Sequence, residues 1–177
     1  TAQVAAAFTG LLDTYSGAAA AYSLRLLDST YSGNAIKVRR LSDNTEQDIG
    51  FVDNELDTSS LITFCSGTAG YVTTWYDQSG NGNDVTQSTA AQQPQIVVGG
   101  STIVEGTKPA FDFLTGGNFI GATGYSFTDF AAFTVMHSDT NSSYPVSCQS
   151  LNTSGWRQHI VNATTFRSRM FSVNIDA

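Results

Sequence analysis

The segment from residue 71 to residue 83 constrains the fold more than any other part of the sequence. Its first half reads Tyr-Val-Thr-Thr-Trp-Tyr, an alternation of aromatic or β-branched residues with threonine that is typical of a half-buried strand. Its second half reads Asp-Gln-Ser-Gly-Asn-Gly-Asn. We expect its two glycines and two asparagines to supply the positive φ angles of a tight reversal. The segment therefore predicts a strand that ends in a polar turn, as in antiparallel β-structure.

Composition favours one mostly β domain. A chain of 177 residues is long enough to bury roughly two thirds of the surface that it exposes when unfolded. Only 13% of its residues are charged, fewer than exposed helical faces usually carry, whereas 11% are aromatic. We expect an all-β fold, an antiparallel β-sandwich over residues 15–177, preceded by a short helical attachment segment over residues 1–14.

Two short helices are predicted within this β-rich chain. The first rests on an apolar stripe at helical spacing, ended by Asp13 and Thr14 and formed by Val4, Phe8, Leu11 and Leu12. The second follows Asp57, which is placed to cap residues 58–64. Three of its residues are expected to face inward, namely Leu61, Ile62 and Cys65. Gly67 is expected to end it.

Strands are predicted at intervals of roughly 8–12 residues, as β-sandwiches require. They cover residues 20–27, 36–41, 48–52, 71–76, 84–87, 95–98, 102–104, 110–113, 118–120, 130–137, 146–150, 156–161 and 165–173. Glycine pairs and Lys108-Pro109 mark the breaks between them.

Five segments carry a resemblance to a known family. In order and spacing, they resemble the catalytic domain of fungal α-L-arabinofuranosidase B and, more broadly, the concanavalin A-like (laminin-G-like) jelly-roll modules of secreted and phage proteins. The segments are Ala21-Tyr22-Ser23-Leu24-Arg25, Ala35 to Arg40, Glu55-Leu56-Asp57, Phe64-Cys65 and Tyr76 to Asn83. The resemblance implies a concanavalin A-like jelly roll.

The cysteines depart from the family's pattern. In the family, a second cysteine follows the Phe-Cys pair by five residues, whereas this chain has Gly70 there. The resemblance therefore implies that Cys65 has lost the partner of a small loop disulfide. Cys65 and Cys148 permit one disulfide with each other, and two free thiols are the alternative.

The resemblance implies glycosidase chemistry only if two acids are present. A retaining glycosidase needs two carboxyl groups about 5–5.5 Å apart, one as nucleophile and one as acid/base. In the family both lie after the polar turn that corresponds to residues 76–84 of this chain, which we call the signature turn. The nucleophile lies in an Asp-Met-Glu-Asn-like segment. Here no glutamate follows Glu105, and the later acids stand in other contexts: Asp112, Asp129, Asp139 and Asp176. We therefore expect no catalytic residue in this chain.

The signature turn suggests two binding hypotheses. Sugar binding needs an aromatic face together with planar amide or carboxylate groups, and the candidate carbohydrate-binding residues are Tyr76, Asp77, Asn81, Asn83 and Asp84. Because side chains alternate along a strand, Tyr76 should point outward if Trp75 points into the core.

Asp77, Ser79 and Asn81 also resemble the start of a calcium loop, but Ser88 stands where a bidentate glutamate is required. A turn locked by its own Asp and Asn side chains is the alternative. We expect no cofactor.

Charge and hydropathy exclude several partners. With 15 acidic and 8 basic residues the net charge is −7, which disfavours nucleic acid because phosphate binding needs clustered Lys and Arg. No apolar run reaches the roughly 20 residues of a membrane span. His137 and His159 lack ligand spacing for zinc.

These observations lead to one preferred function and two alternatives. We expect a non-catalytic module of a virion-surface or extracellular adhesion protein, such as a capsid decoration, knob or tail fibre, which forms a homo-oligomer and binds host glycans or other surface subunits. A secreted glycoside hydrolase of the α-L-arabinofuranosidase type is the first alternative. A purely structural assembly module is the second.

Overall fold

The computed structural model describes residues 7–113, 119, 135, 143–149, 155–162 and 165–171, the last three ranges by their backbone. The chain divides into two compact units, Thr1–Tyr125 and Ser126–Ala177. The described part is mostly β, with antiparallel pairing throughout and few helices. The prediction of a mostly β chain is thus confirmed.

The first unit contains two short α-helices, a 3₁₀ turn and ten strands among its described residues. In chain order these are α1 Leu11–Thr14, β1 Ile36–Arg40, β2 Glu46–Ile49, β3 Phe51–Val52, β4 Glu55–Leu56, α2 Thr58–Cys65, β5 Gly70–Trp75, β6 Val85–Thr86, the 3₁₀ turn Ala90–Gln92, β7 Gln95–Val98, β8 Ser101–Thr102, β9 Val104–Glu105 and β10 Lys108–Pro109. The main sheet has the order β2-β1-β5-β7-β8, with β6 also paired to β5. Two small hairpins, β3-β4 and β9-β10, are also present among the described residues of the unit.

The second unit contributes a three-stranded antiparallel sheet. It is formed in sequence order by β11 Ser143–Gln149, β12 Gly155–Asn162 and β13 Thr165–Phe171. These strands correspond to the predictions for residues 146–150, 156–161 and 165–173. The strands predicted over residues 118–120 and 130–137 lie largely outside the described residues.

The core of the first unit lies between the main sheet and α2. Ile36 and Val38 on β1 and Val72 on β5 are fully buried, because alternate residues of a strand face the same side. Leu61 and Cys65 of α2 pack in the same cluster. A helix of eight residues is marginal alone in water, so burial of this face stabilises α2.

Local signals located α2 correctly but gave part of its face wrongly. The Asp57 carboxylate accepts a hydrogen bond from the Ser60 N–H at 2.9 Å, as the predicted cap requires. Ile62, which we expected to face inward, is 38% exposed, and Phe64 is buried in the cluster instead. The helix ends at Ser66, whose φ of 48° is left-handed, and Gly67 follows with φ 80°.

The first hairpin is confirmed, whereas one other prediction is wrong and another is wrong in part. β1 and β2 pair with Ile36 opposite Ile49. Residues 20–27 form an isolated bridge at Arg25 and no strand. The N-terminal helix ends at Thr14, the bound that we expected, but it begins only at Leu11, so that Phe8 lies outside it and residues 7–10 are irregular. Val4 lies outside the described residues.

Cys65 lies next to Gly70, the position at which the family has its second cysteine. Cys65 is fully buried and is a free thiol. A Cβ atom added at Gly70 would lie 2.7 Å from Cys65 Sγ. The two positions are therefore adjacent in space, as a small loop disulfide would require. For Cys65 the structure therefore agrees with the free-thiol alternative, and the side chain of Cys148 lies outside the described residues.

Candidate functional site

The signature turn, defined as residues 76–84, is built around the buried carboxylate of Asp77. Its Oδ1 accepts hydrogen bonds from the backbone N–H groups of Ala21 at 2.8 Å and Ser79 at 2.9 Å. Its Oδ2 accepts from the Ser79 hydroxyl at 2.7 Å and the Asn83 N–H at 3.0 Å. Burial alone would raise the pKa of Asp77, but these hydrogen bonds outweigh it and the pKa lies below its usual value. Asp77 is therefore a structural anion that holds the turn.

Gln78 joins the signature turn to an irregular N-terminal segment. Its side chain is 1% exposed. Its Oε1 accepts from the Leu27 N–H at 2.8 Å, and its Nε2 donates to the carbonyls of Ser23 at 3.0 Å and Arg25 at 3.1 Å. A buried amide that replaces strand pairing in this way explains why residues 20–27 are not a β-strand although their pattern alternates.

The two asparagines of the turn bind backbone carbonyls of the same segment. Asn81 Nδ2 donates to the Ala18 carbonyl at 2.9 Å, and Asn83 Nδ2 donates to the Ala19 carbonyl at 2.8 Å. Positive φ angles occur at the two glycines of the turn, which have φ 83° and 71°, and at neither asparagine. The expectation that the asparagines supply positive φ is therefore wrong, because their amides act as cross-links between segments.

Trp75 and Tyr76 point to opposite sides, as the alternation predicts. The Trp75 ring contacts Phe111 at a centroid distance of 4.8 Å and packs against the core. The Tyr76 hydroxyl donates to Asp48 Oδ1 at 2.6 Å. Burial, followed by the hydrogen bond to Asp48, raises the pKa of Tyr76.

The five predicted sugar-contacting residues lie together in one turn, yet their polar groups are largely engaged within the protein. Asp84 Oδ1 accepts from the Asp77 N–H at 2.8 Å, and the other four residues make the bonds described above. Sugar binding by this turn stays a prediction.

The calcium prediction at Asp77, Ser79 and Asn81 is likewise untested. Within the part of the chain that the structure describes, no group of three or more His, Cys, Asp or Glu side chains could hold a metal ion. In the same part, no helix is long and apolar enough to cross a membrane.

A concave surface lies on the polar side of the main sheet, apart from the residues of the signature turn. We name it the polar groove and define it by lining residues from β1, β2, β5, β6 and the β6–β7 loop, which include Lys37, Arg39, Glu46, Thr73, Thr74, Thr86, Gln87 and Gln93. Its volume is about 400 Å³, within the range of small-ligand sites. The groove is therefore large enough to hold a sugar unit.

A β-bulge shapes the floor of the polar groove. Lys37 is opposite Thr74 and Val38 is opposite Val72, so that Thr73 is the extra residue of β5. Both threonines line the groove. Bulges re-aim side chains and are over-represented beside functional sites, and this one adds a hydroxyl to the floor.

Arg39 is the most buried cation of the groove. It is 8% exposed, its Nε donates to Gln93 Oε1 at 2.7 Å and its Nη1 donates to Asn44 Oδ1 at 2.7 Å. Its guanidinium carbon lies 5.2 Å from the centroid of the Tyr71 ring. Gln93 is held in turn by its own bond to the Gln87 carbonyl at 2.9 Å. The guanidinium is therefore fixed in orientation.

The groove is not apparent from the sequence alone. Its residues come from positions 37–46 and 73–93, which only the pairing of β1 with β5 brings together. The available signal was the alternation in β1, where Ile36 and Val38 face the core and the basic Lys37 and Arg39 share the other face.

The acids that follow the signature turn contribute little to the described structure. Asp112 forms an isolated antiparallel bridge with Gln95. The other three, Asp129, Asp139 and Asp176, lie outside the described residues.

Several characterised enzymes are similar to part of this chain. The α-L-arabinofuranosidase B of Emericella nidulans is 42% identical over 72 residues, and that of Aspergillus niger is 40% identical over 72 residues. Each alignment covers 40% of this chain and 14% of the relative, so the chain spans about one seventh of the length of these relatives.

Two solved structures also match. An arabinofuranosidase complexed with arabinofuranosyl-α-1,2-xylobiose is 42% identical over 38% of this chain and 15% of its own, with a TM-score of 0.36. A GH54 α-L-arabinofuranosidase soaked with a cyclic sulfate inhibitor is 34% identical over 44% of this chain and 19% of its own, with a TM-score of 0.40.

The comparisons correct our preferred function. A non-catalytic virion-surface or adhesion module is wrong, because the family described as "Alpha-L-arabinofuranosidase B, catalytic" matches residues 13–109 and the relatives from Emericella nidulans and Aspergillus niger are both α-L-arabinofuranosidases. The preference for a non-enzyme, which rested on the absence of the expected acid motifs, is not supported. The match includes the signature turn and covers more than half of the chain. The chain therefore belongs to the family of the α-L-arabinofuranosidase B catalytic domain.

Proposed function

We propose that this protein is a glycoside hydrolase that releases α-L-arabinofuranosyl units from glycans. The observation that carries this proposal is the family match over residues 13–109. It is the first alternative weighed from the sequence, now preferred. The protein acts outside the cell, where its polymeric substrates are found, and its partner is a glycan.

In this proposal, Asp77, Asp43 and Glu55 stabilise the fold and do not act as catalytic acids. Asp77 is saturated with hydrogen bonds, and its lowered pKa keeps it ionised, so that it is a poor general acid. Arg40 pairs with Asp43 at 2.6 Å and Lys108 with Glu55 at 2.7 Å. The nucleophile and the acid/base are therefore to be sought among other carboxyl groups, such as those of Asp112, Asp129, Asp139 and Asp176.

The finer fold that we propose is a concanavalin A-like jelly roll. Support comes from the main sheet, whose one face is apolar and whose other face is polar, as in one layer of a sandwich. The polar groove then lies on a sheet face that a glycan chain reaches.

The test is hydrolysis of 4-nitrophenyl α-L-arabinofuranoside by the full-length protein, with 4-nitrophenyl β-D-xylopyranoside as the control substrate. We expect release of nitrophenol from the arabinofuranoside, with the anomeric configuration of arabinose retained. A folded, full-length protein that cleaves neither substrate would refute the proposal.

If activity is found, the matched variants are Asp→Asn substitutions at Asp112, Asp129, Asp139 and Asp176, compared with Asp53→Asn. Asp53 has φ 51° in an exposed turn, a conformation that asparagine adopts readily, so that this variant should retain full activity. A fall of about 1,000-fold or more in kcat, with an unchanged unfolding transition, would identify an acid of the reaction.

A further inference from the structure

Among the described residues, the buried guanidinium of Arg39 forms no ion pair, although Glu46 is its cross-strand neighbour in the β1–β2 register. The described residues form three ion pairs, Lys37 with Asp48, Arg40 with Asp43 and Lys108 with Glu55, and Arg39 takes part in none of them. Its acceptors within this part of the chain, Gln93 and Asn44, are neutral amide oxygens. Buried charges in proteins are normally paired with an opposite charge. An oriented, unpaired cation at the wall of a groove is the arrangement that an anionic ligand completes.

Lys37 adds a second positive charge that is only loosely held. Its Nζ lies 3.9 Å from Asp48 Oδ1, and the same oxygen accepts the Tyr76 hydroxyl at 2.6 Å. Both side chains of this ion pair are partly exposed, so the pair is weak. Glu46 on β2 is the one acid among the described lining residues. The lining therefore carries a net charge of +1 (two cations minus one carboxylate), whereas the chain carries −7.

The neutral part of the lining matches a polyhydroxylated ligand. The accessible hydroxyls of Thr74 and Thr86 line the same groove, whereas the amides of Gln87 and Gln93 are buried and bonded within the protein. The two hydroxyls both donate and accept hydrogen bonds. The described lining contains no aromatic side chain, so that stacking on a neutral pyranose is not what holds a ligand here.

We propose that the polar groove binds a uronic acid unit of an oligosaccharide, with the sugar carboxylate on Arg39 and Lys37 and the sugar hydroxyls on the hydroxyls of Thr74 and Thr86. A single carboxylate matches the net charge of the lining, and the planar guanidinium suits its geometry. The inference rests on the proposed function, because it deepens the substrate class to acidic, arabinose-bearing glycans.

The test is calorimetric titration of the full-length protein with glucuronosyl-xylobiose, with xylotriose as the neutral ligand of equal size. We expect the acidic trisaccharide to bind about tenfold more tightly, as one charge-assisted contact provides. Sodium acetate and sodium phosphate, titrated at the same ionic strength, should bind at least tenfold more weakly than glucuronosyl-xylobiose, since they lack the hydroxyls.

Three charge variants with different expected effects on affinity test whether the ligand binds in the polar groove. Lys37→Gln should weaken binding of glucuronosyl-xylobiose about threefold, and Glu46→Gln should strengthen it about twofold. Lys108→Gln removes the same charge at a position outside the groove and should leave the affinity unchanged. All three side chains are at least partly exposed, so their loss should not prevent folding.

Equal affinity for xylotriose, or an equal effect of Lys37→Gln and Lys108→Gln, would overturn the inference. Acetate or phosphate binding as tightly as the trisaccharide would overturn it too, by showing a simple anion site. Hydrolysis of the aryl arabinofuranoside is measured separately on the same preparation. A protein that hydrolyses but does not bind the uronate refutes this inference alone, and one that binds but does not hydrolyse refutes the proposed activity alone.

Discussion

Asp77 shows how one side chain determines the conformation of the most characteristic segment. Its two oxygens accept four hydrogen bonds, three of them from backbone N–H groups. One of these donors, Ala21, is 56 positions away in the sequence. The carboxylate therefore fixes the turn and ties it to the N-terminal segment at the same time.

We predict that Asp77→Ala lowers the free energy of unfolding by about 3 kcal/mol, because it leaves three backbone N–H groups without their acceptor. Urea unfolding followed by tryptophan fluorescence measures the change. Asp84→Asn is the matched control, since an amide oxygen still accepts from the Asp77 N–H, and it should cost less than about 1 kcal/mol. Equal effects of the two substitutions would contradict a special role of Asp77.

Gly70 offers a second prediction at the scale of one residue. We predict that Gly70→Cys forms a disulfide with Cys65. The added Cβ would lie 2.7 Å from the Cys65 sulfur, and in a disulfide the Cβ of one cysteine lies roughly 3 Å from the sulfur of the other. Closing so short a loop should stabilise the oxidised variant by about 2 kcal/mol over its reduced form. Thermal unfolding with and without reductant measures this difference.

Gly70→Ala is the control for that disulfide. Its Cβ would also lie 3.2 Å from Val38 Cγ1 and from Val97 Cβ, so that packing strain should destabilise it. Its stability should not respond to reductant. A Gly70→Cys variant that is equally indifferent to reductant, with two free thiols on titration, would show that the backbone does not allow the bond.

At the scale of elements, helix α2 depends on its first cap. Asp57 accepts from the Ser60 N–H at 2.9 Å and from the Ser60 hydroxyl at 2.6 Å. We predict that Asp57→Ala lowers the free energy of unfolding by about 1 kcal/mol, whereas Asp57→Asn, an equally good cap, changes it little at neutral pH. Urea unfolding of the three proteins separates these outcomes, and a loss of equal size in both variants would indicate that charge, not capping, is what matters.

The elements that sequence reasoning located are those whose signals are local. α2 follows from Asp57 and the residues just after it, and the β1–β2 hairpin follows from alternation across a polar turn. Residues 20–27 also alternate, yet they are bonded by the side chains of Asp77 and Gln78 instead of a neighbouring strand. No local pattern contains that information, because the partners lie more than 50 positions away.

The candidate sites divide in the same way. The signature turn was found because all its residues are consecutive, but the internal bonding of Asn81 and Asn83 depends on carbonyls at positions 18 and 19. The polar groove was missed because Arg39 and Gln93 meet only after β1, β5 and the β6–β7 loop have assembled. Spatial convergence of distant polar residues is a property of the fold.

At the scale of the whole molecule, ionisation couples stability to pH on the acidic side. Hydrogen bonds that Ser60 donates lower the pKa of Asp57, and the hydrogen bonds that Arg40 donates lower the pKa of Asp43. In Asp77, hydrogen bonds overcome the opposing effect of burial. A carboxyl whose folded pKa lies below its unfolded value of about 4 stabilises the protein above that value, and the contribution is lost as pH falls.

The pKa of Tyr76 is shifted in the opposite direction, upward. Burial and the bond to Asp48 raise its pKa, so that its contribution is complete below the unfolded value of about 10 and is lost as pH rises through the folded value. We therefore predict that the thermal unfolding midpoint is nearly constant between about pH 5 and pH 9 and falls on both sides. Differential scanning calorimetry across this range measures the profile.

Tyr76→Phe should reduce the fall of the unfolding midpoint at alkaline pH and leave the fall at acidic pH unchanged, because it removes the phenol and none of the carboxyls. A midpoint that rises below pH 4, or an alkaline fall that Tyr76→Phe does not reduce, would show that other groups control the pH dependence.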